Sequence, residues 1–456
     1  MNKILFKGTL ILTLTGFATR VIGFFYRIFL SRTFGAEGMG IYQLVSPVLA
    51  LSFSICCGGI QSAISKYVAG EPSSHDYRHS FRVLFCGIAL SGVLSVLFSG
   101  IVVLNAPFIA TRLLCEPRTE PLLRIIAVSI PFATLHSCIN GYYYGIKNTK
   151  IPAISQIIEQ LIRVGTVFLL YRYSLSHNMQ LKLSCSVFGM LAGEICSALL
   201  TGALVMLRFS RCIGRPTPSV HALSDMRKSP AMHKILSRIL SMALPLSASR
   251  IVVNLLCGIE SVYLPLMLVK SGMSDTQALS VYGVFTGMAM PFIMFPSTLT
   301  HSFSVLLLPL ISEAQERVDY GKIRRAFHRT AACSIAFGLF CCALFLITGR
   351  YAGNYLFHNA LAGHFILTLS FICPFLYLST TMSSILHGLG HTSFSFVINT
   401  TALGIRLAFV FFLVPTYGIE ACLWGILASQ LFCAAANSLA IVHYLNKNRI
   451  QTQKGF

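Results

Sequence analysis

Twelve stretches of roughly 20 apolar residues succeed one another along this chain, and that repetition leaves few folds open. A helix rising about 1.5 Å per residue needs roughly 20 residues to cross the hydrocarbon core of a bilayer. The first six windows are Gly8–Leu30, Ile41–Ile64, Val83–Leu104, Ile125–Ile146, Ile151–Leu170 and Leu183–Leu207. The second six are Ile239–Leu268, Ala278–Leu310, Ala331–Thr348, Phe365–Leu386, Phe394–Val414 and Ala421–Tyr444. Of the 456 residues, 55% are hydrophobic and 11% charged, where a soluble protein is about 25% charged. A water-soluble enzyme, a disordered chain and a secreted disulfide scaffold are excluded. The expectation is an all-α polytopic membrane protein with about twelve transmembrane helices.

Charge orients those helices. Lys and Arg number 35 against 14 Asp and Glu, a net charge of +21. No long basic run or interleaved aromatic tract points to nucleic acid. Basic cytoplasmic loops account for the excess instead. With the N-terminus inside, 22 Lys/Arg fall in cytoplasmic segments, 8 on the opposite side and 5 within helices. Both termini are therefore expected in the cytoplasm of a multi-pass protein. Lys3 and Lys7 precede an apolar run in the manner of a signal peptide. The run continues past Arg20 to Leu30 without a cleavage site, and reads as the first spanning helix.

The two halves are copies of one another. At an offset of 243, ten residues between Pro131 and Leu170 meet identical residues between Pro374 and Leu413, among them Gly145, Thr149 and Arg163. At an offset of 230, Ala18-Thr19-Arg20 meets Ala248-Ser249-Arg250, and Leu191-Ala192-Gly193-Glu194 later meets Leu427-Ala428-Ser429-Gln430. Six helices per half is an even number, so the repeats are parallel. That is a transporter architecture with the substrate expected in a central cavity between the halves. The expected division is an N-terminal bundle at 1–207, a basic cytoplasmic linker at 208–238, a C-terminal bundle at 239–445 and a tail at 446–456.

Charged side chains near mid-bilayer cost about 2.5–3.5 kcal/mol on insertion scales, so each needs a reason. Arg20, Arg163, Arg250 and Arg406 each lie some 16–18 Å into their windows at about 1.5 Å per residue. Arg20 and Arg250 occupy matching places in the first helix of each repeat. A guanidinium presents a planar fork matched to phosphate oxygens, so the pair suits an anionic substrate. The alternative is that each caps broken backbone or pairs with a carboxylate. Arg163 has Glu159 four residues earlier on the same face, which favours an ion pair or a gate. Arg406 has Ala402 at that place and joins the substrate-binding candidates, as does Arg27, which can snorkel outward. Glu194 sits mid-helix, where it either binds a coupling cation or accepts a hydrogen bond. Glu260 is expected near an outer end, solvated.

Other residues read more simply. The 15 cysteines contain no C-x-x-C, and those at 56, 57, 341, 342, 373 and 433 lie in apolar stretches as packing residues. His136, His301 and His387 read either as proton relays or, more simply, as buried hydrogen-bonding residues, and Tyr142–Tyr144 as an interfacial aromatic belt rather than a sugar-stacking platform. Pro291, Pro296 and Pro309 interrupt the eighth window, while Pro47, Pro131 and Pro374 interrupt the second, fourth and tenth. No D-x-D, G-x-S-x-G, H-E-x-x-H or P-loop occurs, and the outer loops are short. A membrane enzyme and an ATP-driven pump are thus disfavoured, and no metal or cofactor is expected.

The segments TRVIGFFYR, FGAEGMGIYQL and GGIQSAISK, within Gly8–Glu71, resemble the stage V sporulation protein B and polysaccharide-biosynthesis branch of the multidrug/oligosaccharidyl-lipid/polysaccharide exporter superfamily. The helix layout extends that similarity over the chain. The resemblance implies alternating access and flipping of a lipid-diphosphate-linked saccharide, a cell-wall or polysaccharide precursor, to the outer leaflet of a bacterial cytoplasmic membrane. In the related lipid II flippases, first-helix arginines line the cavity, a role that the Thr19-Arg20 match carries to Arg20. Those flippases have a basic residue where Tyr26 stands and an acidic one where Arg27 stands, and two further helices beyond these twelve. Na⁺, H⁺ or the membrane potential would supply the energy. Membrane lipid and glycan synthases are the expected partners of a monomer. The alternative is a cation-coupled multidrug or small-molecule exporter of the same fold.

Overall fold

The computed structural model describes residues 3–69, 77–213 and 232–454. Helix α1 (Lys3–Phe53) carries the first window and the start of the second. Only Gly35 breaks it, at φ 70° and ψ −173°, a conformation that a residue without Cβ adopts at no steric cost. A π-turn at Ser54–Gly58 leads into α2 (Gly59–Ala69). The run Leu10–Ala69 is 60 residues long, about 90 Å of helix and enough for two passages. Next come α3 (Tyr77–Leu104), α4 (Glu120–Gly145), α5 (Lys150–Ser176), α6 (Ser184–Ile213) and α7 (Met232–Lys270).

The second repeat begins partway along α7. It continues as α8 (Asp275–Gly283), a π-turn at Val284–Ala289, α9 (Met290–Met294) and α10 (Ser297–Glu316). Helices α11 (Tyr320–Tyr351), α12 (Ala360–Ser370), α13 (Cys373–Gly388), α14 (Thr392–Ala408) and α15 (Ile419–Lys454) complete it. Among the described residues no strand occurs. Ten helical runs among these residues are long and apolar enough to span a membrane, and α12 with α13, bent by 57°, forms an eleventh. With the first run double in length, every one of the twelve windows has a helix. Pro291 and Pro296 lie where the eighth window breaks into short pieces, and Pro374 starts α13 at the bend. Pro47 and Pro131 are carried inside continuous helices.

The chain packs as two compact units, Met1–Ile22 with Leu44–Leu255, and Gly23–Gln43 with Leu256–Phe456. These differ from the halves 1–207 and 239–445, because the first helix of each repeat is shared out. The middle of α1, Gly23–Gln43, and the end of α7, from Leu256, pack in the second unit, and the rest of both helices in the first. Part of the expected linker is helix, since α6 runs to Ile213 and α7 begins at Met232. Residues 214–231 lie outside the described residues.

Close backbone approach explains the sharing. In the first unit a Cβ on Gly59 would collide with the Ala243 carbonyl, and the Tyr67 hydroxyl donates to the Arg238 carbonyl at 3.0 Å. Ile235, Ile239 and Ala243 thereby join Ile60, Ile64 and Tyr142 in one core. In the second unit Gly40 lies against the Leu279 carbonyl and Gly283 against that of Ala36. Phe24 packs beside Phe295 with ring centres 4.9 Å apart. Small residues at such crossings are the usual means of bringing membrane helices together.

The tyrosine triplet departs from its reading. Tyr142 and Tyr143 are 0% and 1% exposed, with Phe81 stacked 5.3 Å from Tyr142, so they are core rather than an interfacial belt. Both α2 and α3 pack on that face of α4, and a sequence window does not reveal which face is covered. The cysteines at 56, 57, 341, 342, 373 and 433 are buried free thiols, as expected.

Substituting Gly283 tests the packing. Gly283→Val is expected to lower the melting temperature in nanodiscs, with an overpacking cost of about 1–3 kcal/mol. Gly16→Ala, where a Cβ meets nothing within 4 Å, is expected to leave it unchanged.

Candidate functional site

Embedded charges are the chemistry this fold offers, and the structure sorts the candidates by partner. Arg250 is the first case. Its Nη1 donates to the carbonyl of Gly58 at 2.7 Å, at the end of the first π-turn. A π-turn shifts backbone bonding to i→i+5 and disturbs the carbonyl ladder. One turn further along α7, Asn254 Nδ2 donates to Ser54 Oγ at 2.6 Å and to the Ala50 carbonyl at 3.2 Å. Arg250 thus meets a neutral group, with no carboxylate paired to it among the described residues. Arg20 is exposed on α1, after a turn in which the Thr19 hydroxyl donates to the carbonyls of Thr15 and Gly16 at 3.1 Å. Both arginines belong to the first unit.

Arg163 and Glu159 pair as their spacing implied, Nη2 to Oε1 at 2.6 Å. The pair is part of a larger cluster. Glu194 Oε1 lies 3.8 Å from the same Arg163 nitrogen, and Glu194 Oε2 lies 3.0 Å from His136 Nδ1. His136 Nε2 is 3.9 Å from Glu159 Oε2, so the ring stands between two carboxylates. Side-chain exposures of 12–23% place all four inside the bundle of α4, α5 and α6. Ligand atoms of His136, Glu159 and Glu194 lie within 4.8 Å of one another, a spacing that suits a cation.

In the second unit Arg406 has a partner that spacing did not reveal. Its Nη2 and Nε donate to Glu260 Oε1 at 2.6 and 3.0 Å. Glu260 is 6% exposed, not solvated near an outer end as expected. The burial comes from its pairing with Arg406. Glu260 and Arg406 are on different helices, and the only sequence signal was the missing acid four residues before Arg406. Arg27, also in the second unit, is exposed on α1. Of the embedded arginines, Arg163 and Arg406 are thus matched by carboxylates and Arg250 is held by a carbonyl.

Removing one partner of a buried pair strands the other charge, at a cost of about 3–5 kcal/mol. Glu260→Leu is expected to destabilise the protein by that order, and Glu260→Leu with Arg406→Leu to restore most of the loss. Thermal unfolding of the three variants in nanodiscs measures both.

Comparison with known proteins bears on what these charges serve. Residues 5–315 match the family described as polysaccharide biosynthesis protein. Stage V sporulation protein B of Bacillus subtilis strain 168 is 30% identical over 312 residues, 68% of this chain and 58% of that protein. The aligned region thus spans little more than half the length of that relative. The lipid II flippase MurJ of the same organism is 23% identical over 432 residues, 89% of this chain and 77% of that protein. Among solved structures, an inward-facing multidrug resistance MATE family transporter of the MOP superfamily superposes with a TM-score of 0.69. It is 14% identical, over 94% of this chain and 95% of that one, so the likeness is one of fold.

Proposed function

From the premise that this chain belongs to the polysaccharide biosynthesis protein family, we propose that it is a flippase. It moves a lipid-diphosphate-linked saccharide, a cell-wall or polysaccharide precursor, from the inner to the outer leaflet of a bacterial cytoplasmic membrane. Both termini lie in the cytoplasm in this reading, as the Lys/Arg distribution favours. The lipid tail stays in the bilayer while the headgroup crosses by alternating access. Glycan synthases are the partners that would supply and consume such a substrate.

The observation that carries the reading is Arg250. An embedded guanidinium held by the Gly58 carbonyl keeps its full charge available to an anion, because a carbonyl orients it without neutralising it. Arg20 occupies the matching place in the first repeat, in the same packing unit. Two guanidinium forks suit the oxygens of a diphosphate, with charge-assisted bonds to each. Arg27 is a further contact for the headgroup. Arg406 contributes less, since Glu260 already balances it.

A cation-coupled exporter of organic cations is the rival. It would need carboxylates able to meet a cationic drug, whereas Glu159 and Glu260 both face arginines and Glu194 faces a histidine.

Fluorescent lipid-diphosphate saccharides in proteoliposomes test the proposal. Wild type is expected to move them across the bilayer, and Arg20→Ala or Arg250→Ala to slow that movement about tenfold or more, as the loss of one charge-assisted bond implies. No movement, alongside cation-driven efflux of organic dyes that ignores both substitutions, would contradict it.

A further inference from the structure

We infer that His136, Glu159 and Glu194 form a protonation site that couples headgroup movement to a proton gradient, an inference that rests on the flippase reading above. Charge balance is the first argument. Arg163 offsets one of the two carboxylates. With a neutral imidazole the cluster would hold one net negative charge inside the helix bundle, an expensive state in a medium of low dielectric. A single proton restores neutrality, whereas a divalent ion would leave excess positive charge beside Arg163.

The ring is placed to hold that proton. Nδ1 and Nε2 of His136 face Glu194 and Glu159 at 3.0 and 3.9 Å, so an imidazolium addresses both carboxylates at once. His136 Nδ1, Glu194 Oε2 and Arg163 Nε are buried without an aligned hydrogen-bond partner among the described residues.

The second repeat supplies an internal comparison. The counterparts of His136, Glu159 and Arg163, at an offset of 243, are Ser379, Ala402 and Arg406, and that of Glu194 is Gln430. Ser379 Oγ donates to Gln430 Oε1 at 3.1 Å, so the same two positions touch in both repeats. One copy of the fold makes that contact with neutral residues. Packing alone does not require the ionisable set in the other copy.

The groups around α4 are the following. Glu159 faces His136 from α5, where Arg163 pairs with it, and Glu194 faces the ring from α6. On its other sides the first π-turn brings Cys57 beside Ser137 and Cys138, and Ser91 of α3 lies 2.9 Å from Cys138. From α2, Gln61 and Ser65 lie against Gly141 and Gly145. In the proposed cycle one proton enters from the outer side, is held between His136 Nδ1 and Glu194 Oε2, and leaves to the cytoplasm as the headgroup crosses outward. No other bond is made or broken.

Two measurements decide it. ¹⁵N NMR of the histidine rings in nanodiscs, with the His136 signals identified by their loss in His136→Ser, reads the site without any substrate. Both ring nitrogens are expected to be protonated at neutral pH in wild type, and the ring to be neutral in Glu194→Gln. A neutral ring in wild type would overturn the inference. The second measurement uses proteoliposomes clamped at zero potential under a gradient of one pH unit. One-for-one exchange sustains about a tenfold transbilayer ratio of headgroup, as a tenfold proton ratio requires. His136→Ser/Glu194→Gln installs the second repeat's own pair and leaves Arg163 with Glu159. It is expected to keep the wild-type melting temperature and lose the response to pH. Arginine-dependent flipping that follows a Na⁺ gradient, or no gradient, would sink the proton site and leave the flippase standing. A protonated ring shared with Glu194, in a protein that moves no lipid-linked saccharide, would support the site and remove the flippase.

Discussion

Every embedded charge here has to be met by another group, because hydrocarbon offers neither water nor counterions. That constraint shapes much of the architecture. Glu260 meets Arg406 with two bonds to one carboxylate oxygen. Glu159 and Glu194 both face Arg163, and His136 stands between the same two carboxylates. Arg250 is met by a backbone carbonyl instead, an arrangement that satisfies its geometry but not its charge. The difference separates charges that hold helices in place from one that remains able to attract an anion.

Backbone satisfaction obeys the same rule. The π-turns Ser54–Gly58 and Val284–Ala289 begin 230 residues apart, the offset that also relates Arg20 to Arg250. Each accepts a side chain from a shared helix. Arg250 and Asn254 of α7 bond the first π-turn region, and Gln43 of α1 donates to the Thr286 carbonyl of the second at 3.1 Å. Those bonds, with the glycine crossings at Gly59 and Gly283, explain why α1 and α7 are each divided between the two packing units. The symmetry of the repeat therefore survives in the devices that exchange its helices.

Much of this was legible from residues alone. The twelve windows and the paired repeat follow from hydropathy and spacing, because a bilayer dictates segment length. Glu159 with Arg163 was legible because both lie on one helical face. The partners of Arg406 and Glu194 were not, since Glu260 and His136 stand on other helices and nothing local announces them. Glu260 read as solvated because its partner Arg406 stands 146 residues away in sequence. Tyr142 and Tyr143 read as a belt because they lie near the end of their window, whereas α2 and α3 cover them. The π-turns carried no signal beyond nearby glycine and proline.

The central claim is that the embedded arginines select an anionic headgroup. Equilibrium binding to the purified protein in nanodiscs tests it most directly, using one lipid-linked saccharide in two forms, with and without its diphosphate. The account predicts at least about tenfold tighter binding of the diphosphate form, as one charge-assisted contact of ~1.4 kcal/mol already implies. That preference should vanish when Arg20 and Arg250 are both Gln. Equal affinity for the two forms, or a preference for an organic cation that survives the double substitution, would contradict it.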